Sequence, residues 1–376
     1  MSDDRPQGSY GWLYGEDEPT RQVPRQGSSR QPAPDLPPPN LPPPGRGGGK
    51  GAGAAPPRKP RRKRSVRRIV LALLAAWIIF LIAVPIWAWG KIEKVDAEPG
   101  GDRPGDQPGT TYLLVGSDSR RGLSAEERKK LTTGNPAGAR TDTILLLHTG
   151  SGPSVLLSIP RDSLVPIAGY GTTKINAAYA LGGPKLLVKT IESNTGIRVD
   201  DYIEVGFGGL VKVVDSLGGV EICPKDDLKD KDSGLDVKKG CQTADGPTAL
   251  AYSRNRHSFG NGDIQRVQNQ REVLGSISSE AKSPWTVINP VRYARVASGA
   301  SGSLRIGENV GPVALVRFAL ALSSAMGGGG LSCTVPIQDL AVNWDARRAP
   351  QMFDLIKTDK TSEIGSLCTE DGMPKG

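Results

Sequence analysis

Arginines stand beside acidic and amide residues in four short stretches of this chain: G-S-D-S-R at 116–120, A-R-T-D-T at 139–143, S-I-P-R-D at 158–162, and Y-S-R-N-R at 252–256, followed by D-I-Q-R-V-Q-N-Q at 263–270. Guanidinium forks match the oxygens of phosphate esters, and paired carboxylates match hard divalent ions. Asp118 directly follows the apolar run T-Y-L-L-V-G and Asp142 opens T-I-L-L-L-H, so both carboxylates fall at strand ends, where α/β proteins gather ligands. Two aspartates without a histidine suit Mg²⁺, which fills the rest of its octahedron with water and substrate phosphate oxygens. The set reads as a magnesium and phosphate site, with Asp118 and Asp142 on the metal.

Arg140 stands two residues before Asp142, and Arg161 ends the apolar run S-V-L-L-S-I-P. Arg254 and Arg256 alternate, so in an extended segment they share one face and can clamp a diphosphate. Asp263, Arg266 and Gln270 follow i, i+3, i+7 spacing and line one stripe of a helix that Leu274 continues. Any one of these arginines alone reads as an ordinary salt-bridge partner. Gathered together without anions, they would cost more than a protein core can offset, so the group calls for an anionic ligand. Other chemistry finds little support: His148 and His257 are the only histidines, and neither a G-x-S-x-G elbow nor a G-x-x-x-x-G-K-[ST] loop is present. His148, closing I-L-L-L-H, reads as structural.

Positioning these residues requires strands that end at them and helices that return the chain. Apolar runs of strand length occupy 111–116, 141–149, 154–160, 202–207 and 219–223, and helical patterns occupy about 175–195, 208–217, 263–280, 311–325 and 345–357. The interleaving predicts an α/β sandwich. No repeat of solenoid or propeller period is present.

Upstream, residues 69–89 form an uncharged apolar run that, as a helix, reaches about 30 Å, the thickness of a bilayer core. Eight basic residues between Arg58 and Arg68 account for most of the net charge of +9, so the charge points to a membrane surface and not to nucleic acid. The positive-inside rule then puts the amino end in the cytoplasm and the larger part of the chain outside, with Trp87 and Trp89 at the outer interface. Five segments follow: a disordered Pro/Gly-rich cytoplasmic tail at 1–57, a basic juxtamembrane segment at 58–68, a transmembrane helix at 69–89, an extracellular linker at 90–109 and a catalytic domain at 110–370. Cys223, Cys241, Cys333 and Cys368 all fall on the external side without a C-x-x-C pair, so disulfides are expected over free thiols. Short loops close most readily, which favours Cys223 with Cys241 and Cys333 with Cys368.

In these residues the chain resembles the LytR-CpsA-Psr family of cell-wall glycopolymer ligases. The motifs G-S-D-S-R, R-T-D-T, S-I-P-R-D, K-I-N-A-A-Y-A-L-G-G at 174–183, D-Y-I-E-V-G-F-G-G-L at 201–210, D-S-L-G-G-V-E-I at 215–222 and Y-S-R-N-R with the D-x-x-R helix occur in the family's order. The resemblance implies a three-layer α-β-α sandwich whose central mixed sheet helps enclose a hydrophobic lipid pocket, preceded by one transmembrane helix. It implies transfer of a glycopolymer from a polyprenyl pyrophosphate carrier to peptidoglycan or an attached wall glycan, with Mg²⁺ on Asp118 and Asp142. Arg140, Arg161, Arg254, Arg256, Arg266 and Gln270 would bind the pyrophosphate, with Arg120 and Lys174 at its edge. Arg140, Asp142, Arg161, Arg254 and Arg256 are the catalytic candidates. One departure stands out: where many members read D-x-x-R-x-x-R-Q-Q, this chain has Asn269 at the second arginine and Arg271 at the last glutamine. Helices 184–191 and 311–322 are candidates for the pocket wall, and the stretch between Arg120 and Arg140 reads as a helical excursion near the acceptor side. Two other functions fit the same residues, a membrane-anchored sensor that binds lipid pyrophosphate without turnover and a polyprenyl-pyrophosphate hydrolase.

Overall fold

The structure, a computed structural model, describes residues 63–119, 126, 131, 141–230, 233–255, 262–339 and 341–374. In chain order, α1 (Lys63–Trp89) is followed by β1 (Glu93–Val95), β2 (Thr110–Ser117), β3 (Thr141–Thr149), β4 (Val155–Ser158), β5 (Leu164–Ile167), β6 (Gly171–Lys174), α2 (Asn176–Thr195), β7 (Asp201–Gly206) and α3 (Phe207–Leu217). Then come the short strands β8 (Val220–Ile222), β9 (Leu228–Asp230), β10 (Leu235–Val237) and β11 (Gln242–Ala244), and the helices α4 (Gly246–Arg254), α5 (Gly262–Ala281), α6 (Pro284–Ile288) and α7 (Pro290–Ser301). The chain closes with β12 (Leu304–Gly307), α8 (Pro312–Met326), β13 (Leu331–Thr334) and α9 (Arg348–Lys357). Helix α1 is long and apolar enough to cross a membrane, and most of its large apolar side chains are exposed.

Seven strands form one mixed sheet in the order β1-β12-β7-β2-β3-β4-β13, with β2 antiparallel to β3 and parallel to β7. Side chains alternate across a strand, so β2 and β3 serve two cores at once. Leu113, Val115, Ile144 and Leu146 pack on one face against Leu187 and Ile191 of α2 and Met352 and Phe353 of α9. Tyr112, Leu114, Leu145 and Leu147 pack on the other against Phe318 and Ala325 of α8. A third cluster joins α3, α4 and α5 to the small strands β8–β11. The architecture is the expected α-β-α sandwich with a mixed central sheet.

The centre of the sheet carries a buried carboxyl group. Glu204 is fully buried on β7 and accepts hydrogen bonds from Ser117, Tyr179, Tyr202 and Arg305 at 2.8–2.9 Å. A buried carboxylate is tolerated only when its oxygens are filled in this way, and the arrangement pins β2, β12 and α2 to β7. Within α2 the expected helix is interrupted at Gly182–Gly183: Pro184 removes a donor and crowds the residue before it, and Gly183 relieves this at φ 64°.

Three expectations are corrected. Residues 90–109 are not a free linker: β1 pairs in parallel with β12 at the sheet edge, and Arg103 binds Glu192 at 2.7 Å. Gln107 donates to Gly196 O and accepts from Arg198 N. The segment is held by ion pairs and backbone bonds, which leave no apolar periodicity to read. The first part of Y-S-R-N-R is not extended, because Tyr252–Arg254 form the last turn of α4, whose start is capped by Asp245 accepting from Thr248 N. The stretch 184–191 lies on the α9 side of the sheet, where Leu187, Val188 and Ile191 belong to a closed core. The disulfides join Cys223 to Cys241 and Cys333 to Cys368, the favoured pairing.

Candidate functional site

The register of the sheet brings the two acidic motifs together. Ser117, the last residue of β2, faces Thr141, the first of β3, across a bulge, so Asp118 leaves its strand beside the strand that Asp142 enters. The end of β7 lies against the same loop: a Cβ on Gly206 would stand 3.1 Å from Ser119 O, and α3 starts at the next residue. The carboxylates therefore sit at the carboxyl ends of the parallel pair β2 and β7, next to a helix amino end whose dipole favours anions.

Basic side chains surround this corner. Arg161 Nη1 donates to Asp142 Oδ1 at 2.6 Å, and its Nε lies 3.6 Å from Asp162 Oδ2. Lys174 Nζ, at the end of β6, reaches Asp162 Oδ1 at 2.8 Å. Burial works against charge on Asp162, but Lys174, Arg161 and Arg266 outweigh it and hold the carboxyl below its ordinary range. Asp162 thus stays ionised and positions Arg161 and Lys174. Arg266, on α5, is 3% exposed. Arg254 ends α4 with its guanidinium 5.1 Å from the centre of the Phe207 ring and Nη1 donating to Leu131 O at 3.2 Å.

A cavity of about 530 Å³ opens from this corner between the sheet and helices α3, α5, α7 and α8. Asp142, Arg254, Arg266 and Gln270 line it at one end, and Leu274, Ile277 and Ala281 continue its wall along α5. Leu114, Ile203, Val296, Phe318 and Leu322 complete the apolar part. From Arg266 to Ala281 the helix rises about 22 Å, so the wall passes from guanidinium to hydrocarbon over that length. The cavity is polar at one end and apolar along the rest. Of the expected wall helices, 311–322 contributes through Phe318 and Leu322, whereas 184–191 is on the wrong face.

The candidate residues sort as follows. Asp142, Arg254, Arg266 and Gln270 are on the cavity wall; Arg161 and Lys174 stand behind it through Asp142 and Asp162; Asp118 is half-buried at the end of β2. Arg120, Arg140 and Arg256 lie outside the described residues, as does most of the stretch between Arg120 and Arg140; the side chain of Asp263 does too. Arg271 does not stand in for the arginine missing at 269. It reaches instead to β4 and β13, donating to Ser158 Oγ at 2.8 Å, to Thr334 Oγ1 at 3.0 Å and to Cys333 O, and burial pushes its pKa down to about 10. Asn269 donates to Tyr252 O at 3.1 Å and ties α5 to α4. Sequence reasoning missed Phe207, which holds Arg254, and the Asp230–Ser233 pair that closes part of the cavity. The aromatic at the start of a helix after a strand-ending glycine was the available signal for the first, and nothing signalled the second. His148 is structural, bonded to Thr111 Oγ1 at 2.9 Å and facing Asp359 Oδ1 at 3.3 Å, with burial lowering its pKa.

Fold, motif order and cavity together describe an α-β-α sandwich that follows one helix long and apolar enough to cross a membrane and that carries a cavity polar at one end and apolar along the rest. The profile of the LytR_cpsA_psr family matches residues 91–324, and the chain belongs to that family. It is 42% identical over 297 residues to a probable cell wall biosynthesis protein, LcpB, of Corynebacterium glutamicum, spanning 77% of this chain and 70% of the relative. It is 31% identical over 237 residues to the regulatory protein MsrR of Staphylococcus aureus, spanning 62% of this chain and 70% of that one. The fold is similar to a LytR-Csp2A-Psr enzyme from Actinomyces oris, with a TM-score of 0.57 at 21% identity, covering 71% of this chain and 96% of the other.

Proposed function

We propose that this chain acts in cell-wall biosynthesis as a Mg²⁺-dependent phosphotransferase, moving a glycopolymer from a polyprenyl pyrophosphate carrier to peptidoglycan or an attached wall glycan. The observation that carries the reading is the cavity wall along α5, polar at Arg266 and Gln270 and apolar from Leu274 to Ala281. A sugar phosphate without a lipid would leave the apolar length unused, and a lipid without an anionic head would make no use of the guanidiniums at the polar end. Membership of the family and the likeness to LcpB support the cell-wall setting.

Asp118 and Asp142 fit a magnesium ion: both offer hard oxygens at adjacent strand ends, both are partly open to solvent, and Asp142 keeps Oδ2 free of its bond to Arg161. When bound, the ion would neutralise charge on the diphosphate oxygens. Arg254 and Arg266 hold the diphosphate from the helix side, and Arg161 orients Asp142 while adding positive charge behind it. An acceptor hydroxyl oxygen attacks the phosphorus that carries the glycan, the bond from that phosphorus to the bridging oxygen breaks, and polyprenyl phosphate leaves with the bridging oxygen. The hydroxyl proton passes to a rim carboxylate or to water. Little covalent work falls to the protein, whose contribution is position and charge. In this reading α1 crosses the membrane once, with its basic amino end in the cytoplasm and the folded unit, from β1 onward, outside.

The name of the staphylococcal relative favours a second reading, a membrane-anchored regulator that binds the lipid without turning it over. The full chain in vesicles with Mg²⁺, a lipid-linked polymer and wall acceptor separates the readings. Polymer transfer that is lost in Asp142→Ala and Arg254→Ala supports the transferase. Tight binding without turnover supports the regulator, and phosphate release without polymer transfer indicates a hydrolase.

A further inference from the structure

We infer that the corner formed by α6 and the start of α7 is immersed in the outer leaflet of the membrane that α1 spans, and that it forms a side entrance through which the lipid tail reaches the cavity. The inference rests on the lipid-carrier reading only for its second half. The first half comes from depth. Tyr293 Oη on α7 donates to Leu81 O at 2.9 Å, and the rings of Tyr293 and Phe80 lie 5.9 Å apart. Leu81 precedes Trp89, the outer end of α1, by about 12 Å along the helix. A folded unit that touches the span at that depth cannot stand clear of the bilayer. The residues around Tyr293 must share its level.

Those residues suit hydrocarbon. Trp285, Val287, Ile288 and Val291 expose 45–63% of their surface, an apolar group too contiguous for an ordinary water-facing corner. The polar groups beneath them are satisfied internally: Arg292 bonds Glu280 at 2.8 Å and Thr286 Oγ1 at 3.0 Å, and Asn289 Oδ1 accepts from Val291 N and Arg292 N. With these groups paired among themselves, the corner enters lipid at a lower cost than open polar groups would impose. Lys282 and Arg295, both exposed, have stems long enough to bring their charges to the headgroups. The same helix then leads inward, because Val296 and Ala300 of α7 line the apolar end of the cavity, and Ala281 lines it just before Trp285. A prenyl chain entering there would pass from leaflet to cavity without crossing water.

The test uses the full chain in vesicles of phosphatidylcholine and phosphatidylglycerol, with a spin-labelled non-natural residue at position 288 and a control at exposed Lys189 on the opposite side of the sheet. Position 288 is expected to be open to dissolved oxygen and shielded from a water-soluble nickel chelate, with the reverse at 189. Equal access of the chelate to both overturns the immersion. For the entrance, an Ile288→Glu/Val291→Glu variant is expected to lose about tenfold or more of its transfer from a long-chain donor embedded in vesicles, while keeping transfer from a short-chain donor dispersed in detergent. Equal loss with both donors overturns the entrance. Absence of transfer by the unaltered chain with either donor overturns the phosphotransferase and the entrance with it, while the spin labels still decide the immersion.

Discussion

The two faces of the central sheet are built from alternate residues of the same strands and end in opposite states. On the α2 and α9 face, Leu187, Ile191, Met352 and Phe353 close over Leu113 and Leu146, and every one is buried. On the α5, α7 and α8 face, Leu274, Ile277 and Leu322 approach Leu114 and Ile203 but leave about 530 Å³ between them. Protein cores pack densely, so a gap of that size lined by hydrocarbon gives up stability that a closed core would keep. One side of the sheet is the closed foundation, and the other has given up contact and stays open.

The largest expected effect separates the charged end of the open face from the rest. Replacing Arg266 by Met should lower polymer transfer by about 100-fold or more, as loss of a pre-positioned charge at a phosphoryl site does, while the melting temperature changes little or rises. A melting temperature that falls along with activity would show that Arg266 is a structural cation and that the cavity's polar end is not the headgroup site.

Equal truncations on the two faces sharpen the comparison. Leu187→Ala, in the closed core, should cost about 2–5 kcal/mol in denaturant unfolding. Leu274→Ala, on the cavity wall, removes contacts that are already incomplete and should cost about 1 kcal/mol or less, while raising the KM for long-chain donor more than it changes kcat. Matching losses of stability at the two positions would mean that the cavity closes in solution. The disulfide Cys333–Cys368 belongs to the foundation too, tying β13 to the C-terminal segment beside Arg271. Replacing both cysteines by Ser should lower stability by about 3 kcal/mol, measured by chemical unfolding, with transfer per folded molecule unchanged.

How much of this was legible depended on whether the signal was local. β2, β3 and β7 announced themselves as apolar runs, and Arg266, Gln270 and Leu274 lay on one helical stripe whose spacing alone placed them on a common wall. The segment 90–109 was misread because its order comes from distant partners such as Glu192 and β12. Y-S-R-N-R was misread because Asp245, which starts the helix before it, lies seven residues ahead of the motif and was not read as a cap. The choice between α2 and α8 as pocket wall could not be made locally at all. Both are apolar helices, and only the order of strands in the sheet decides which face each one covers.

The smallest effect turns on two carboxylates, one on each side. Glu192, on α2, is buried against Arg103, whereas Asp201 opens β7 on the cavity side, beside Asp200 and with no ion-pair partner among the described residues. Burial first, and then the neighbouring Asp200 charge, push its pKa up to about 6 from an ordinary 3.8. The folded chain therefore holds this proton more tightly than the unfolded one, so stability falls as pH rises from about 4 to 6 and stays lower above that. Asp201→Asn should remove the loss: partial exposure of the group limits the gain to roughly 1 kcal/mol, a rise of a few degrees in Tm near neutral pH and almost none near pH 4. The same rise at both pH values would show that the substitution acts through packing or the unfolded chain. A fall at neutral pH would show that Asp201 has found a cation, and that the open face is electrostatically balanced at this end as the closed face is at Glu192.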